Sequence, residues 1–190
     1  MRIIDTDFSG LKVIELTVHQ DQRGFFAETF RRDIFAAAGL PHEFVQANHA
    51  RSNTAGVLRG LHFQTPPAAQ AKLVWVTAGE VLDVVVDIRK GSPTFGRHFS
   101  IRLSADNFAR LLIPRGFAHG YLTLTAPAEF QYMVDGYYAP ELEGGLLWDD
   151  PDLGIDWGMT APLLSEKDTR LPPFRELDSP FVYEPPGNPA

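Results

Sequence analysis

An arginine and a histidine stand three residues apart in the apolar run VLRGLHFQ, residues 57–64. Arg59 keeps its positive charge at any working pH, and its guanidinium fork suits a phosphate group. His62 carries the one type of side chain that ordinarily takes up and returns a proton near neutral pH. This pair therefore indicates acid-base chemistry on an anionic ligand. The alternative is a half-buried strand whose histidine is simply hydrogen-bonded in the core.

Strand alternation limits how these two side chains can cooperate. In a regular strand Arg59 shares a face with Leu61 and Phe63, whereas His62 lies on the opposite face. Both side chains reach one ligand only if the strand twists, bulges at Gly60, or lies at the mouth of a pocket.

Composition narrows the class of protein. A chain of 190 residues with 44% apolar residues is expected to form a single domain, residues 1–190, with a sizeable core. The absence of cysteine excludes disulfides, thiolate metal sites and a cysteine nucleophile. A net charge of −7 argues against a nucleic-acid partner. With no leader pattern and no long apolar run, we expect a cytoplasmic protein that does not enter membranes.

The remaining pattern is that of an all-β protein. Strands are expected around a turn at residues 21–24, at residues 11–18 and 25–30, and then in a series of short β-branched or aromatic runs over residues 72–77, 80–88, 99–103, 109–113, 120–124 and 129–138. Many short strands with turns between them predict an antiparallel sandwich or barrel. One short helix is expected over residues 33–39, and the segment after Leu146 is expected to cover the body, anchored by Trp148 and Trp157.

The motif PRGFAH, residues 114–119, resembles the second half of the cupin signature, which implies a small jelly-roll barrel with its site inside. Cupins that bind metal usually offer a His-x-His pair, a glutamate and a later histidine. Here the first pair reads His62-Phe63-Gln64, so an amide replaces one ligand and only His62 and His119 remain. Two neutral nitrogens make a poor divalent-metal site, so no metal is expected and His62 is free to act as a base.

Longer blocks make the resemblance specific. They are DQRGFFAETF at residues 21–30, QANH at 46–49, LRGLHFQ at 58–64, QAKLV at 70–74, DIRKGSPTFG at 87–96, IPRGFAHG at 113–120, YYAP at 137–140, WDDP at 148–151 and SEKD at 165–168. Their order and spacing resemble the dTDP-4-dehydrorhamnose 3,5-epimerase family. The resemblance implies inversion at C3 and C5 of a nucleotide-linked 4-keto-6-deoxysugar. Both carbons lie alpha to the ketone, so a base, an acid and a cation at the enolate oxygen are needed, but no cofactor.

The resemblance implies four catalytic residues. His62 is the base, and Asp168 orients it, as carboxylates do beside histidine in hydrolase triads. Lys72 is the ammonium at the C4 oxygen, and Tyr132 is the general acid. Each of three has a structural alternative: a local turn cap for Asp168, an edge-strand lysine for Lys72, and a barrel-wall aromatic for Tyr132.

The resemblance also implies a set of substrate-binding residues, with Arg23 and Arg59 as the phosphate contacts and Tyr138 as a stacking partner or alternative donor. The set is Arg23, Glu28, Gln46, Asn48, Arg59, His119, Tyr138, Glu143 and Lys167. In this family the early strands are exchanged across a homodimer, so Arg23, Glu28 and Asn48 are expected to serve the neighbouring subunit's site.

Three other functions fit parts of the sequence. The nearest is a single-site 3- or 5-epimerase for another nucleotide-linked 4-keto-6-deoxysugar, since such enzymes share the framework. A metal-dependent cupin oxygenase is the second, and it lacks its ligand set here. A non-catalytic sugar-binding barrel is the third, and it has no need for a base, an acid and an oxyanion cation together.

Overall fold

The structure is a computed structural model that describes residues 1–185, so the last five residues of the predicted domain lie outside it. The described residues form thirteen strands: β1 (Arg2–Asp5), β2 (Lys12–Glu15), β3 (Val18–Asp21), β4 (Gly24–Ala27), β5 (Gln46–Ser52), β6 (Leu58–Gln64), β7 (Lys72–Ala78), β8 (Glu80–Asp87), β9 (His98–Ser104), β10 (Ala109–Ile113), β11 (Phe117–Thr123), β12 (Ala128–Val134) and β13 (Glu143–Gly145). One α-helix, α1, spans Arg32–Ala37. The all-β prediction is confirmed.

Two antiparallel sheets face each other. The larger sheet has the order β1-β2-β10-β7-β12-β5, and the smaller has the order β13-β6-β11-β8-β9. Strands β3 and β4 form a separate hairpin that belongs to neither sheet. The turn predicted at residues 21–24 is the tip of this hairpin, where Asp21 pairs with Gly24.

A core of aliphatic and aromatic side chains fills the space between the sheets, because alternate residues of each strand point inward. Val74 and Val76 of β7 meet Val81 and Val85 of β8 in this core. One end of the same space stays open, and the cavity described below lies there.

The outer face of each sheet has its own cover. Helix α1 places Phe35 over the larger sheet, against Leu73 and Leu112. The segment after Leu146 runs across the smaller sheet as predicted. Trp157 is buried there, and its indole Nε1 donates a hydrogen bond to the carbonyl of Trp148 at 2.8 Å.

Some predicted boundaries are wrong, for reasons that the pairing explains. The strand predicted over residues 11–18 is two strands, because β2 pairs with β1 and β10 whereas β3 pairs only with β4. The strand predicted over residues 129–138 ends at Val134, where the chain turns at Asp135. The predicted helix is shorter, ending at Ala37, and Gly39 follows it in the left-handed conformation with φ +67. A helix of six residues is the longest that residues 1–185 contain, so none of their helices could cross a bilayer.

Candidate active site

A cavity of about 570 Å³ opens between the two sheets, at the end where β6 and β11 face β7 and β12. Seven of the predicted site residues line it: Arg59, His62, Lys72, His119, Tyr132, Lys167 and Asp168. Residues as far apart in the sequence as His62 and Asp168, which are separated by 106 positions, are thus brought to one space.

A short hydrogen bond joins His62 to Asp168. The imidazole Nε2 lies 2.6 Å from Asp168 Oδ1, and the carboxylate is buried while the imidazole is partly exposed to the cavity. Because an ionised carboxylate can only accept, this contact favours the tautomer with hydrogen on Nε2 and leaves the lone pair of Nδ1 for a substrate.

Asp168 is held ionised by its surroundings. Burial alone would raise the pKa of this carboxyl, but hydrogen bonds with His62, with the Gly60 amide and with Ser165 lower the pKa below its ordinary value. The backbone N–H of Asp168 also donates to Ser165 Oγ at 3.1 Å, so a local turn cap exists at the same place. The structure thus contains both contacts expected from the sequence, and the catalytic role of Asp168 stays a prediction.

A bulge in β6 brings Arg59 and His62 to one cavity. His62 faces His119 on β11, and Arg59 faces Tyr121, so the two residues between them on β6 match one on β11. The bulge shifts the alternation, and the side chains of Arg59 and His62 both point inward. The regular alternation of the sequence analysis is therefore wrong across Gly60, and the conditional bulge is correct.

Gly60 is required at the bulge. Its φ is +125, a conformation that side chains rarely adopt. A Cβ placed there would also lie 2.5 Å from the Cα of Gly120 on the neighbouring strand.

Lys72 opens β7, which runs between β10 and β12 in the interior of the larger sheet. The edge-strand alternative for this lysine is therefore wrong. Burial lowers the pKa of Lys72 to about 8, although Asp83 and Glu143 act against the shift. The ammonium form still predominates at neutral pH, and residues 1–185 provide no hydrogen-bond partner that holds it. A desolvated cation of this kind is what an enolate oxygen would meet.

Asp83 is a site residue that the sequence analysis missed. It lies in the middle of β8 and is fully buried, and its Oδ2 lies 2.9 Å from His119 Nε2. Burial lowers the pKa of His119, with Asp83 opposing the shift, so His119 is neutral at neutral pH. The available signal was an acidic residue inside the valine-rich run VLDVVVD, residues 81–87.

Tyr132 lies on β12 and points into the cavity. Burial raises the pKa of its hydroxyl, so the phenol stays protonated and can act as an acid. Its ring also contacts that of Phe130, with centroids 6.2 Å apart, so the barrel-wall alternative describes part of its role.

Tyr121 is a further residue that the sequence analysis did not name. Burial raises its pKa to about 12, and it forms a hydrogen bond with Arg59.

The rim of the cavity carries a connected polar group. Glu143 forms an ion pair with Lys167 and accepts a hydrogen bond of 2.7 Å from the Tyr138 hydroxyl. Burial would raise the pKa of Glu143, but these two contacts lower it below its ordinary value. Glu143 thus contacts both the Lys167 ammonium and the hydroxyl of Tyr138, whose ring is exposed.

Gln46 and Asn48 lie on the same face of β5 as Ala50, which lines the cavity. Gln46 donates to Asn48 at 3.0 Å and accepts from the backbone N–H of Tyr138. The amide nitrogen of Asn48 is buried and has no hydrogen-bond partner in the described part of the chain. An unpaired donor near the cavity is suited to a ligand oxygen.

Arg23 and Glu28 are not brought to this chain's own cavity. Arg23 lies at the tip of the β3–β4 hairpin, where its side chain is 85% exposed and pairs with Asp21. Glu28 follows the same hairpin, with Arg31 at 3.9 Å. Two of the predicted binding residues therefore sit on or directly after a hairpin that pairs with neither sheet.

Both imidazoles of the cavity contact a carboxylate through Nε2. Nowhere in residues 1–185 do three or more histidine, aspartate or glutamate side chains gather in a way that could hold a metal ion.

Comparison with known proteins agrees with this site. A family model described as dTDP-4-dehydrorhamnose 3,5-epimerase matches residues 5–176. The dTDP-4-dehydrorhamnose 3,5-epimerase of Shigella flexneri is 48% identical over 179 residues, which is 94% of this chain and 98% of that protein.

Solved structures share the fold. The epimerase RmlC of Legionella pneumophila, in complex with dTDP-4-keto-L-rhamnose, is 44% identical with a TM-score of 0.91, covering 97% of this chain and 99% of its own. ChmJ, a 3'-monoepimerase from Streptomyces bikiniensis solved with dTDP-quinovose, is 37% identical with a TM-score of 0.86, covering 90% of this chain and 87% of its own.

The match of the family model spans the cavity, the dyad and most of both sheets. It also confirms the cupin-type jelly roll expected from the motifs, and it makes the chain an enzyme of the isomerase class. The chain belongs to the dTDP-4-dehydrorhamnose 3,5-epimerase family.

Proposed function

We propose that this protein inverts C3 and C5 of dTDP-4-dehydro-6-deoxy-D-glucose, giving dTDP-4-dehydro-L-rhamnose in the biosynthesis of rhamnose. The observation that carries this proposal is the grouping of a histidine-aspartate dyad, a desolvated ammonium and a protonated tyrosine around one cavity. Epimerisation beside a ketone requires these three functions and no redox step.

The reaction proceeds by two similar proton exchanges. The free nitrogen of His62 removes the proton from the carbon next to the C4 ketone, and the electron pair of that C–H bond moves to the ketone oxygen. Lys72 stabilises the resulting enolate through its positive charge. Tyr132 then delivers a proton to the opposite face of the same carbon. Before the next exchange the tyrosine phenolate regains a proton from solvent, and the His62 imidazolium releases one to solvent. Asp168 stabilises the imidazolium that His62 becomes.

The diphosphate needs cations close to the rim. Arg59 and Lys167 are suited to this, because both are cations that line the cavity. The unpaired amide of Asn48, with Gln46 beside it, offers hydrogen-bond donors to the sugar or the nucleotide. Tyr138 exposes its ring near Glu143, and a nucleobase would stack there.

We propose in addition that the enzyme is a homodimer whose β3–β4 hairpins cross to the neighbouring subunit, carrying Arg23 and Glu28 to the second cavity. The hairpin pairs with neither sheet of its own chain. Phe25 and Phe26 are 62% and 71% exposed on it, which is unusual for aromatic side chains without a covering surface.

Subunit mixing tests the exchange. An Arg23→Ala chain combined with a His62→Ala chain should regain activity, because one of the two sites in the mixed dimer then receives both wild-type groups. Random mixing gives about half of the dimers as heterodimers, so recovery should approach about a quarter of wild-type activity. If chains that demonstrably exchange regain nothing, Arg23 serves its own chain's site or no site.

A 3- or 5-monoepimerase is the second candidate, and the similarity to ChmJ favours it. Proton NMR of the substrate in deuterated water separates the two, since the double epimerase introduces deuterium at both C3 and C5. In the same assay the Tyr132→Phe variant should exchange deuterium while net inversion fails. Exchange at one carbon alone would establish a monoepimerase.

The cytoplasm stays the predicted compartment, and cell fractionation would check it.

A further inference from the structure

Only one of the two carboxylate oxygens of Asp83 has a hydrogen-bond partner in the described part of the chain. Its Oδ2 contacts His119 Nε2 at 2.9 Å, whereas Oδ1 is buried and meets no hydrogen-bond donor in the described chain. The residue is fully buried in the middle of β8. A buried polar atom left unpaired costs about 1–3 kcal/mol, and more when it is charged. Such an atom directly behind His119, which lines the cavity, requires a reason other than stability.

The reason lies across the cavity. Lys72 points inward from the facing sheet and, like Oδ1, has no hydrogen-bond partner in residues 1–185. Of the two carboxylates whose charges act on Lys72, Asp83 has the larger effect and Glu143 the smaller. Glu143 is already engaged by Lys167 and by Tyr138. Asp83 is therefore the carboxylate with an oxygen to spare for the ammonium.

We propose that Asp83 is a positioning residue for the epimerisation: it keeps Lys72 an ammonium inside the cavity and fixes the tautomer of His119. Asp83 touches neither the substrate nor the reacting carbons in this proposal. It acts through the two side chains that do.

For His119 the consequence is a change in what it can bind. Since its ring is neutral and Nε2 donates to Asp83, Nδ1 can only accept a hydrogen bond. His119 then accepts a bond from a sugar hydroxyl and does not donate to the diphosphate, which leaves phosphate binding to the arginine and lysine side chains.

For Lys72 the consequence is an upper pH limit on activity. The charged and titratable groups that surround it come from several strands: Asp83 on β8, Glu143 on β13, His119 on β11, His62 and Arg59 on β6, and Tyr132 on β12. Burial already brings the pKa of Lys72 down to about 8. Activity needs the protonated form, so kcat/KM falls as pH rises through that value. Burial raises the pKa of Tyr132, so the Tyr132 acid is not lost in the same range.

The test is the pH profile of kcat/KM, which reports groups of the free enzyme, for the isosteric variant Asp83→Asn. The basic limb should move to lower pH by about one unit, because Asp83 is the opposite charge with the larger effect on Lys72 and loss of such a charge has an effect of that size. With the limb starting near pH 8, a shift of one unit is a loss of roughly fivefold at pH 8 and approaches tenfold at higher pH. A matched control is Glu80→Gln, which removes the same charge from the same strand at an exposed pair with Arg102 and should leave the limb in place.

Two NMR measurements on the wild-type protein keep the test independent of folding of the variant and of turnover. The Lys72 ammonium, labelled at Cε and Nζ and assigned with Lys72→Arg, should titrate near pH 8. The 15N shifts of His119 should give a neutral ring with hydrogen on Nε2. A basic limb that Asp83→Asn leaves unmoved, or a His119 with hydrogen on Nδ1, would overturn the proposal even if the epimerase activity is as proposed.

Discussion

Strand β8 carries two buried aspartates, four residues apart, and their surroundings differ completely. Asp87 accepts five hydrogen bonds: from the backbone N–H, Nε and Nη2 of Arg89, from Ser92 Oγ and from Thr94 Oγ1. Asp83 accepts one, from His119, and keeps an unpaired oxygen. The saturated carboxylate stabilises the fold. The unsaturated one contacts His119, which lines the cavity, and its charge is free to act on Lys72 there.

The Asp87 side of this comparison joins three parts of the chain. Arg89, which pairs with Asp87, also donates to the carbonyl of Ser9 near the N-terminus at 3.0 Å. Its guanidinium lies 4.5 Å from the ring centre of Phe117 and 5.1 Å from that of Tyr183 in the C-terminal segment. Every one of these contacts is structural, since neither Asp87 nor Arg89 lines the cavity.

The largest effect should come from replacing His62, the histidine that is hydrogen-bonded to Asp168 in the cavity. His62→Asn removes the base, and general base catalysis alone is worth about 10² to 10⁴ in rate. We expect kcat to fall by that factor, with unfolding by urea close to that of the wild type. His49→Asn is the control, because His49 is exposed on the outer side of β5. A His62 variant that exchanges substrate protons at the wild-type rate would remove this histidine from the mechanism.

Asp87→Asn should break the structural side of the comparison. It leaves the Arg89 guanidinium buried without its counter-charge, a change that costs about 3–5 kcal/mol in comparable buried pairs. The free energy of unfolding, measured with urea, should fall by that amount, while kcat per folded molecule stays near the wild-type value. A loss of kcat in the folded fraction with unchanged stability would reverse the roles given to the two aspartates.

Asp83→Asn should have a much smaller effect on stability than Asp87→Asn. The substitution removes a desolvated charge that has a single hydrogen bond, so little favourable energy is lost. We expect the free energy of unfolding to change by less than about 1 kcal/mol, in either direction. A decrease as large as that of Asp87→Asn would show that Asp83 is held for the fold.

The sequence predicts the fold class well because strand alternation and turn residues are local properties. It predicts the dyad and the acid through family motifs alone. It offers the bulge at Gly60 only as one of three conditions, because that bulge depends on the approach of Gly120 to Gly60 across two strands. The central position of Lys72 is likewise set by pairing with distant strands.

Asp83 is the informative omission. Within residues 81–87 it and Asp87 are the only charged side chains in an otherwise apolar strand. The pattern therefore marks two buried carboxylates, but it cannot distinguish them. The donors that saturate Asp87 come from the turn that follows it, whereas the one that reaches Asp83 comes from β11, 36 residues away. Local sequence reveals the structural aspartate more readily than the functional one.

The smallest effect is the acid dependence of stability, which should differ between the two aspartates. Burial would raise the pKa of Asp87, but hydrogen bonds from Arg89, Ser92 and Thr94 bring it below its ordinary value of 3.8. A carboxyl whose pKa is lower in the folded state stabilises the protein at pH values above its unfolded pKa. That contribution is lost as pH falls through the folded pKa.

Wild-type stability should therefore decline as the pH drops below about 4, and Asp87→Asn should flatten part of this decline because it cannot take up the proton. Urea midpoints at neutral pH and at several acid pH values measure the difference in slope. Asp178→Asn is the control, since the pKa of Asp178 is also lowered, by Lys90, but its side chain is 96% exposed. Asp168 and Glu143, whose pKa values are lowered too, remain in both variants and leave a common residual slope. If Asp178→Asn flattened the curve as much as Asp87→Asn, the buried hydrogen bonds would have no special role in acid stability. The difference between Asp83 and Asp87 would then concern their effects on activity alone.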